Sequence, residues 1–137
     1  MRKGLATLVA FLVLSGPAEA TPQEDFLRWM NQARTGPNLV VGWRIDQLAQ
    51  EHSERMAAQR RIFHTADLVA TLIAAGVSFY LCGENVGSST VGLRAMFLAF
   101  MRSPPHRANI LNPAFRRVGI GIAHTPGAVW VTLIFVG

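Results

Sequence analysis

The feature that most constrains the fold is a switch in hydrophobic periodicity along the 137-residue chain. Near the C-terminus, β-branched, leucine and aromatic residues recur at every second position in two runs, 118–122 and 129–135, with Thr125-Pro126-Gly127 between them. This alternation on both sides of a turn is typical of a β-hairpin. The first two thirds of the chain show helical spacing instead. With no internal repeat or low-complexity linker, the switch predicts one α+β domain.

Four helices are predicted before the hairpin, and capping residues, glycine and proline mark their ends. The second helix has apolar residues every three or four positions, which indicates one buried face. The predicted helices extend from Thr21-Pro22 to Gly36-Pro37, from about Ile45 to Arg61, from a cap at Thr65 to Gly76, and from Ser89 or Thr90 to Ser103-Pro104-Pro105.

Residues 1–20 have the three parts of a secretory leader. Met1-Arg2-Lys3 is a basic start, Leu5 to Leu14 is apolar apart from Thr7, and Ala18-Glu19-Ala20 has the small-x-small form of a cleavage site. The apolar run is about half of the roughly 20 residues that a membrane-spanning helix needs. We therefore predict cleavage after Ala20, which leaves residues 21–137 as a single domain without a transmembrane segment, secreted or held at the cell envelope.

The formal net charge of +5 comes mainly from arginine, and every basic residue after Ala20 is an arginine. These arginines are spread along the chain, and only Arg60-Arg61 and Arg116-Arg117 are adjacent. A nucleic-acid binder would gather them into one stripe with aromatic residues. The pattern therefore favours a solvated basic surface that can touch anionic envelope polymers, and it predicts no nucleic-acid partner.

Two histidines and one glutamate are the candidate site residues. His64 follows the second helix, His106 follows the Ser-Pro-Pro break, and Glu84 lies between them in the strand-like segment 83–87. Two imidazoles and a carboxylate could ligate zinc and leave positions open for water. Alternatively, Glu84 accepts hydrogen bonds from the histidines and only ties the elements together. Because the three residues share no short motif, spacing alone favours the second interpretation.

Other reactive side chains are assigned structural roles. His52 lies on the apolar stripe of its helix and is expected to be a core histidine. Ser53 lacks the GxSxG surroundings of a hydrolase nucleophile, and Cys82, the only cysteine, has no adjacent cation to lower its pKa. Arg107 and Asn109 follow His106 in a predicted helical turn and are expected to support it. Four aromatic residues are assigned to the core, namely Trp43, Phe97, Phe100 and Trp130.

Several motifs follow one another in a specific order. LAQEHSERMA at 48–57 precedes FHT at 63–65 and GENV at 83–86; SPPHRANILNP at 103–113 precedes VGIG at 118–121 and VWVT at 129–132. In these motifs the chain resembles the short secreted bacterial branch of the CAP superfamily, or SCP domain family. That family includes cysteine-rich secretory proteins, antigen 5 and pathogenesis-related class 1 proteins. The resemblance covers roughly residues 24–137, so residues 21–137 are identified as one CAP/SCP domain.

The resemblance implies an α-β-α sandwich with a central antiparallel sheet between helical layers. It also implies a cleft in which many members place two histidines and two glutamates. His64, Glu84 and His106 match three of these positions. The second glutamate has no counterpart, because residues 91–102 contain no acid.

The predicted function is a secreted binding module. Its cleft would hold a divalent metal such as zinc at His64 and His106, with Glu84 nearby, and would engage an envelope, lipid or protein ligand. The alternative is a metal-assisted hydrolase in which Glu84 acts as general base toward a metal-bound water. The missing second acid counts against the hydrolase. A third interpretation is a structural domain whose His/Glu cluster binds no ligand.

Overall fold

A computed structural model describes residues 16–137. The basic start and apolar run of the predicted leader lie outside the described residues. Residues 16–20, which include the predicted cleavage site, are exposed and have no regular secondary structure. None of the helices within residues 16–137 has the length and apolar character needed to cross a bilayer.

The first two helices begin and end close to the predicted positions. Helix α1 covers Pro22–Ala33, and Thr21 caps it: its hydroxyl accepts from the Glu24 N–H while the Glu24 carboxylate accepts from the Thr21 N–H. Helix α2 covers Trp43–Gln59 and ends at Arg60, which adopts a left-handed conformation with φ of 48°.

Within residues 16–137, four strands form one mixed sheet in the order β1-β3-β4-β2. Their bounds are Val40–Val41 for β1, Cys82–Ser89 for β2, Arg117–Thr125 for β3 and Ala128–Val136 for β4. The three long strands are antiparallel, as predicted, and β3 and β4 form the expected hairpin. The two-residue β1 pairs with β3 in parallel and makes the sheet mixed.

The remaining helices correct three sequence predictions. Helix α3 covers Leu68–Ala74, and its cap is Asp67 rather than Thr65, because the Asp67 carboxylate accepts from the Ala70 N–H. Helix α4 covers Leu93–Arg102 and begins after Gly92 instead of Ser89 or Thr90. The Ser89 hydroxyl accepts from the Val91 and Gly92 N–H groups in the preceding turn.

The third correction concerns His106, which was expected to follow a break in the chain. A fifth helix, α5, covers Pro104–Leu111 and contains His106 in its first turn. The two prolines end α4 but are tolerated at the start of α5, because the first turn of a helix does not need their missing N–H groups.

Helices cover both faces of the sheet. Side chains of α1, α4 and α5 pack with Leu133 and Phe135 of β4. Ile134 of β4 packs instead with the side chains of α2 and α3. Because successive residues of a strand point to opposite faces, this alternation gives the predicted α-β-α sandwich.

Helix α2 lies unusually close to β3. A Cβ at Gly119 would stand 2.2 Å from the Ile45 carbonyl oxygen, and a Cβ at Gly121 would stand 2.0 Å from that of Ala49. Only glycine therefore permits this helix-to-strand distance. Phe97, Phe100 and Trp130 are in the core as predicted, but Trp43, at the start of α2, is 65% exposed. The prediction for Trp43 was wrong.

A buried arginine joins the end of α1 to distant loops. Arg34 is 7% exposed, and its guanidinium donates five hydrogen bonds to the carbonyl groups of Pro37, Ile110, Asn112 and Phe115. Burial and the neighbouring Arg116 lower the pKa of Arg34 from its ordinary value. The charge remains, because arginine stays protonated in proteins.

Candidate functional site

Glu84 is the centre of the polar cluster on β2. Its side chain is 5% exposed, and its carboxylate accepts three hydrogen bonds. Oε1 accepts from His64 Nδ1 at 2.8 Å and from the Thr65 N–H at 2.9 Å, while Oε2 accepts from Thr65 Oγ1 at 2.6 Å. Three donors on a buried carboxylate hold the 64–65 segment against the strand.

The bond to Glu84 determines how His64 presents its imidazole. An ionised carboxylate only accepts, so His64 Nδ1 carries the proton in this pair. In the neutral ring Nε2 then has a free lone pair, and among the described residues it has no hydrogen-bond partner. The His64 side chain is 63% exposed, so this nitrogen belongs to an accessible ring.

His106 occupies the first turn of α5. Its Nδ1 lies 2.8 Å from the Ser103 hydroxyl oxygen, and its ring packs against Phe100 with the ring centroids 5.1 Å apart. Burial, and to a lesser extent the positive charge of a protonated His64, lower the pKa of His106. His106 is therefore predominantly neutral at pH 7, and its Nε2 has no hydrogen-bond partner within residues 16–137.

Two asparagines fix α5 relative to β2. Buried Asn85 donates from Nδ2 to the His106 carbonyl at 2.9 Å, and Asn109 donates from Nδ2 to Asn85 Oδ1 at 2.9 Å. Asn109 thus supports the His106 segment, as expected. The Arg107 side chain is exposed and contributes none of the hydrogen bonds in this cluster.

Strand β2 separates the two histidines because its side chains alternate. It is an edge strand, so its outer edge faces no other strand of the sheet. Glu84 points toward the segment after α2 and binds His64, whereas Asn85 points to the opposite face and binds the backbone of His106. His64 and Glu84 are therefore in direct contact, whereas His106 lies on the other side of β2.

A third histidine, His52 of α2, contacts the segment that carries His64 and Thr65. His52 is 1% exposed; its Nδ1 accepts from Arg55 at 3.1 Å, and its Nε2 donates to the Phe63 carbonyl at 2.7 Å. Thr65 Oγ1 lies 3.3 Å from the same Nδ1. His52 is a core histidine that holds the 63–65 segment.

Ser53 and Cys82 have the structural roles expected of them. The Ser53 hydroxyl is fully buried and bonds to the Gly121 carbonyl and the Thr132 hydroxyl. Burial raises the pKa of the Cys82 thiol, which packs beside the cluster around Ile45 and Leu72. Neither side chain is an activated nucleophile.

The sequence analysis missed Thr65 and Ser103 as members of the site. Thr65 was assigned to a helix cap, but its N–H and hydroxyl both bind Glu84. Ser103 was assigned to a helix end, but its hydroxyl orients His106. The available signal was position, because short hydroxyl side chains beside each histidine can form local hydrogen bonds.

The donor set fits a shared metal only in part. In the part of the chain that the structure describes, no three His, Cys, Asp or Glu side chains gather closely enough to hold an ion. The two free Nε2 atoms are suitable donors, and the Glu84 carboxylate is the partner that metal-binding histidines commonly use on their other nitrogen. An ion here would have to complete its coordination with water or an external ligand.

The three-layer sandwich and the His/Glu cluster on its edge strand define the class of protein. Residues 27–135 match the family model described as "CAP: Cysteine-rich secretory protein family". The chain belongs to this family.

One curated bacterial protein is similar to part of the chain. The uncharacterized protein YkwD of Bacillus subtilis (strain 168) is 37% identical over 62 residues, which are 45% of this chain and 23% of that protein. The chain thus matches less than a quarter of the length of this curated relative.

Two solved structures share the fold. One is an extracellular protein containing an SCP domain from Bacillus anthracis str. Ames, with TM-score 0.68 and 23% identity, covering 89% of this chain and 45% of that one. The other is an outer surface protein from Borrelia burgdorferi, with TM-score 0.75 and 18% identity, covering 84% of this chain and 91% of that one.

Proposed function

We propose that the chain is an exported binding module in which His64 and His106 hold a divalent cation through their Nε2 atoms. One observation carries the proposal: each histidine has its Nδ1 engaged by a polar side chain, which leaves both Nε2 atoms free. Neutral imidazole nitrogens suit zinc in particular. Bound zinc would supply a Lewis-acid contact for an oxygen-bearing ligand from the envelope, a lipid or a protein.

The chain's own residues would prepare this site before any ion arrives. Glu84 fixes the tautomer of His64, Ser103 orients His106, and Asn85 holds the α5 backbone. A preorganised pair of ligands loses less conformational entropy on binding than two mobile side chains. The role of Glu84 in this proposal is to position His64.

The bonds of Glu84 favour binding over hydrolysis. A general base needs a lone pair within reach of the water it deprotonates. Both Glu84 oxygens already accept from His64 or Thr65, and the side chain is almost fully buried. The hydrolase alternative would have to use the remaining lone pair, on Oε2, of a side chain that is only 5% exposed.

The descriptions of solved relatives support an extracellular or envelope location for this module. Solved relatives are described as an extracellular protein and an outer surface protein. Together with the predicted leader, these descriptions favour a ligand encountered outside the cytoplasm.

Calorimetric titration of the purified protein with zinc tests the proposal. At pH 7 we expect saturable binding of one ion per chain, and at least tenfold weaker binding in the His64→Ala, His106→Ala double variant. His124→Ala is the matched control, because His124 is an exposed histidine at the far end of β3 and lies outside the cluster. Unchanged binding in the double variant, or loss of binding in the control, would contradict the proposal.

The pH dependence of zinc affinity provides a second test. Coordination requires deprotonated imidazoles, so zinc affinity should fall as pH drops through about 6.5, the ordinary pKa of histidine. The lowered pKa of His106 means that this residue stays neutral to lower pH than an ordinary histidine. Titrations at pH 7.5, 6.5 and 5.5 that gave one constant affinity would show that the histidines are not the ligands.

A further inference from the structure

A small pocket lies at the beginning of α2, away from the histidines. The first turn of α2, the 76–78 loop and Arg117 line it, and its volume is about 260 Å³. None of its lining residues belongs to the His64, Glu84 and His106 cluster. We call it the Trp43 pocket.

Two arginines are held in place in this pocket. Arg44 donates from Nη1 to the Gly76 carbonyl at 3.3 Å, and Arg117 donates to the Ser78 carbonyl. The two acceptors are two residues apart on one loop, so both guanidinium groups are fixed against the same short segment. A positive φ of 69° at Gly76 lets this loop turn tightly after α3.

Among the described residues that line it, the Trp43 pocket has no carboxylate to match its positive charge. The residues lining the pocket include two arginines and neither an aspartate nor a glutamate. Asp46, one helical turn further along α2, is engaged on the sheet side, where its Oδ1 accepts from the Ile120 N–H. Each arginine retains N–H donors beyond the one its loop carbonyl uses, and a guanidinium fork is well matched to a carboxylate or a phosphate.

Trp43 adds an apolar surface to this charged pocket. Its side chain is 65% exposed, and the Arg44 guanidinium carbon lies 4.9 Å from the ring centroid. This contact holds the indole beside the Arg44 charge, and Arg117 lines the same pocket. An exposed tryptophan fixed next to paired cations suits a ligand that has both a flat, partly apolar face and a negative charge.

We propose that the Trp43 pocket binds an anionic sugar unit of an envelope glycan, with the sugar ring on Trp43 and its carboxylate or phosphate between Arg44 and Arg117. A pyranose ring presents a face of C–H groups that packs on indole. The volume suits one such ring and its acidic group better than a lipid chain. This site acts independently of the proposed cation site.

Titrations monitored by tryptophan fluorescence and by the Trp43 indole N–H resonance test the pocket. The probes are tri-galacturonic acid for a sugar carboxylate, glucose 6-phosphate for a sugar phosphate, neutral maltotriose, inorganic phosphate, and a glutamate-rich peptide. We expect saturable binding of at least one acidic sugar and at least tenfold weaker binding of maltotriose and inorganic phosphate. The arm that binds more tightly identifies the acidic group.

Variants distinguish specific binding in the Trp43 pocket from non-specific attraction of an anion to a basic surface. Trp43→Ala, Arg44→Ala and Arg117→Ala should each weaken binding of the acidic sugar at least fivefold, whereas zinc binding should not change. Binding to Trp43→Ala is measured by calorimetry, because this variant lacks the reporting indole. Arg102→Ala is the matched control, because it removes an exposed arginine outside the pocket. An equal loss in Arg102→Ala, equal binding of maltotriose, inorganic phosphate or the acidic peptide, or no binding of either acidic sugar would overturn the proposal.

Discussion

At the scale of single residues, Glu84 determines what the candidate cation site can present. A buried carboxylate is unfavourable unless hydrogen-bond donors compensate it. His64 and Thr65 supply three donors, and in return the carboxylate fixes the proton of His64 on Nδ1. The accessible nitrogen of His64 is therefore the one that can accept a proton or a metal.

Replacing Glu84 should reduce stability as well as disorder His64. Glu84→Ala leaves the Thr65 N–H and hydroxyl without their partner, so we expect a loss of about 1–3 kcal/mol in the free energy of unfolding. Denaturant unfolding measures this loss. Glu51→Ala is the control, since Glu51 is an exposed acid on α2, and it should change stability by less than about 0.5 kcal/mol. A near-zero loss for Glu84→Ala would mean that the carboxylate is solvent-exposed.

At the scale of elements, the sequence predicted the helices and strands in which apolar residues recur at regular spacing. The hairpin, α1 and α2 follow from periodicity and capping, and the sandwich follows from the family resemblance. A helical turn after His106 was predicted, but the start of α5 at Pro104 was missed, because Pro104 and Pro105 were interpreted only as a stop although proline also starts helices. The exposure of Trp43 was missed because it lay before the predicted start of α2 at about Ile45, so it was assigned to the core on its hydrophobicity alone.

For the candidate site, the sequence predicted the residues but not how they are arranged. His64, Glu84 and His106 were identified from the family resemblance, but the distances between them depend on long-range contacts. Glu84 meets His64 because β2 and the segment after α2 are adjacent in the fold, which local sequence patterns do not specify. The sequence indicates that Glu84 and Asn85 point to opposite faces of β2, but not that the segment after α2 covers one face and α5 the other.

The close contact between α2 and β3 gives a prediction at this scale. In Gly121→Ala the new methyl would stand 2.0 Å from the Ala49 carbonyl oxygen, so the helix must shift. We expect a loss of roughly 1–3 kcal/mol or more in unfolding free energy. Gly127→Ala is the comparison: its methyl meets nothing within 4 Å, but φ is 81°, so it reports backbone strain alone, about 1–2 kcal/mol. A smaller loss at Gly121 than at Gly127 would contradict this packing.

At the scale of the whole molecule, the two proposed sites lie toward opposite ends of α2. The Trp43 pocket includes the first residues of this 17-residue helix, and His64 follows its last turn. At 1.5 Å per residue the helix is about 25 Å long. One chain could therefore hold a charged glycan and a cation-bridged ligand at the same time without contact between them.

Export is the prediction that concerns the complete chain. Residues 16–20 are exposed and lie outside regular structure, so removing residues 1–20 would leave the capped start of α1 intact. We expect a mature form that begins at Thr21. Intact-mass analysis of protein recovered outside the cytoplasm measures the cleavage position. Recovery of full-length, membrane-bound protein alone would refute the predicted processing.

The hydrogen bonds of Arg34 make this fold independent of the redox conditions of its compartment. Three of these five hydrogen bonds join the end of α1 to the carbonyl groups of Ile110, Asn112 and Phe115, about 80 positions further along the chain. Many small exported domains make such a connection with a disulfide. With Cys82 as the only cysteine, this chain has no internal disulfide to form or to lose. Folding of the chain therefore requires no oxidant, and neither glutathione nor a disulfide isomerase has a covalent cross-link within it to act on.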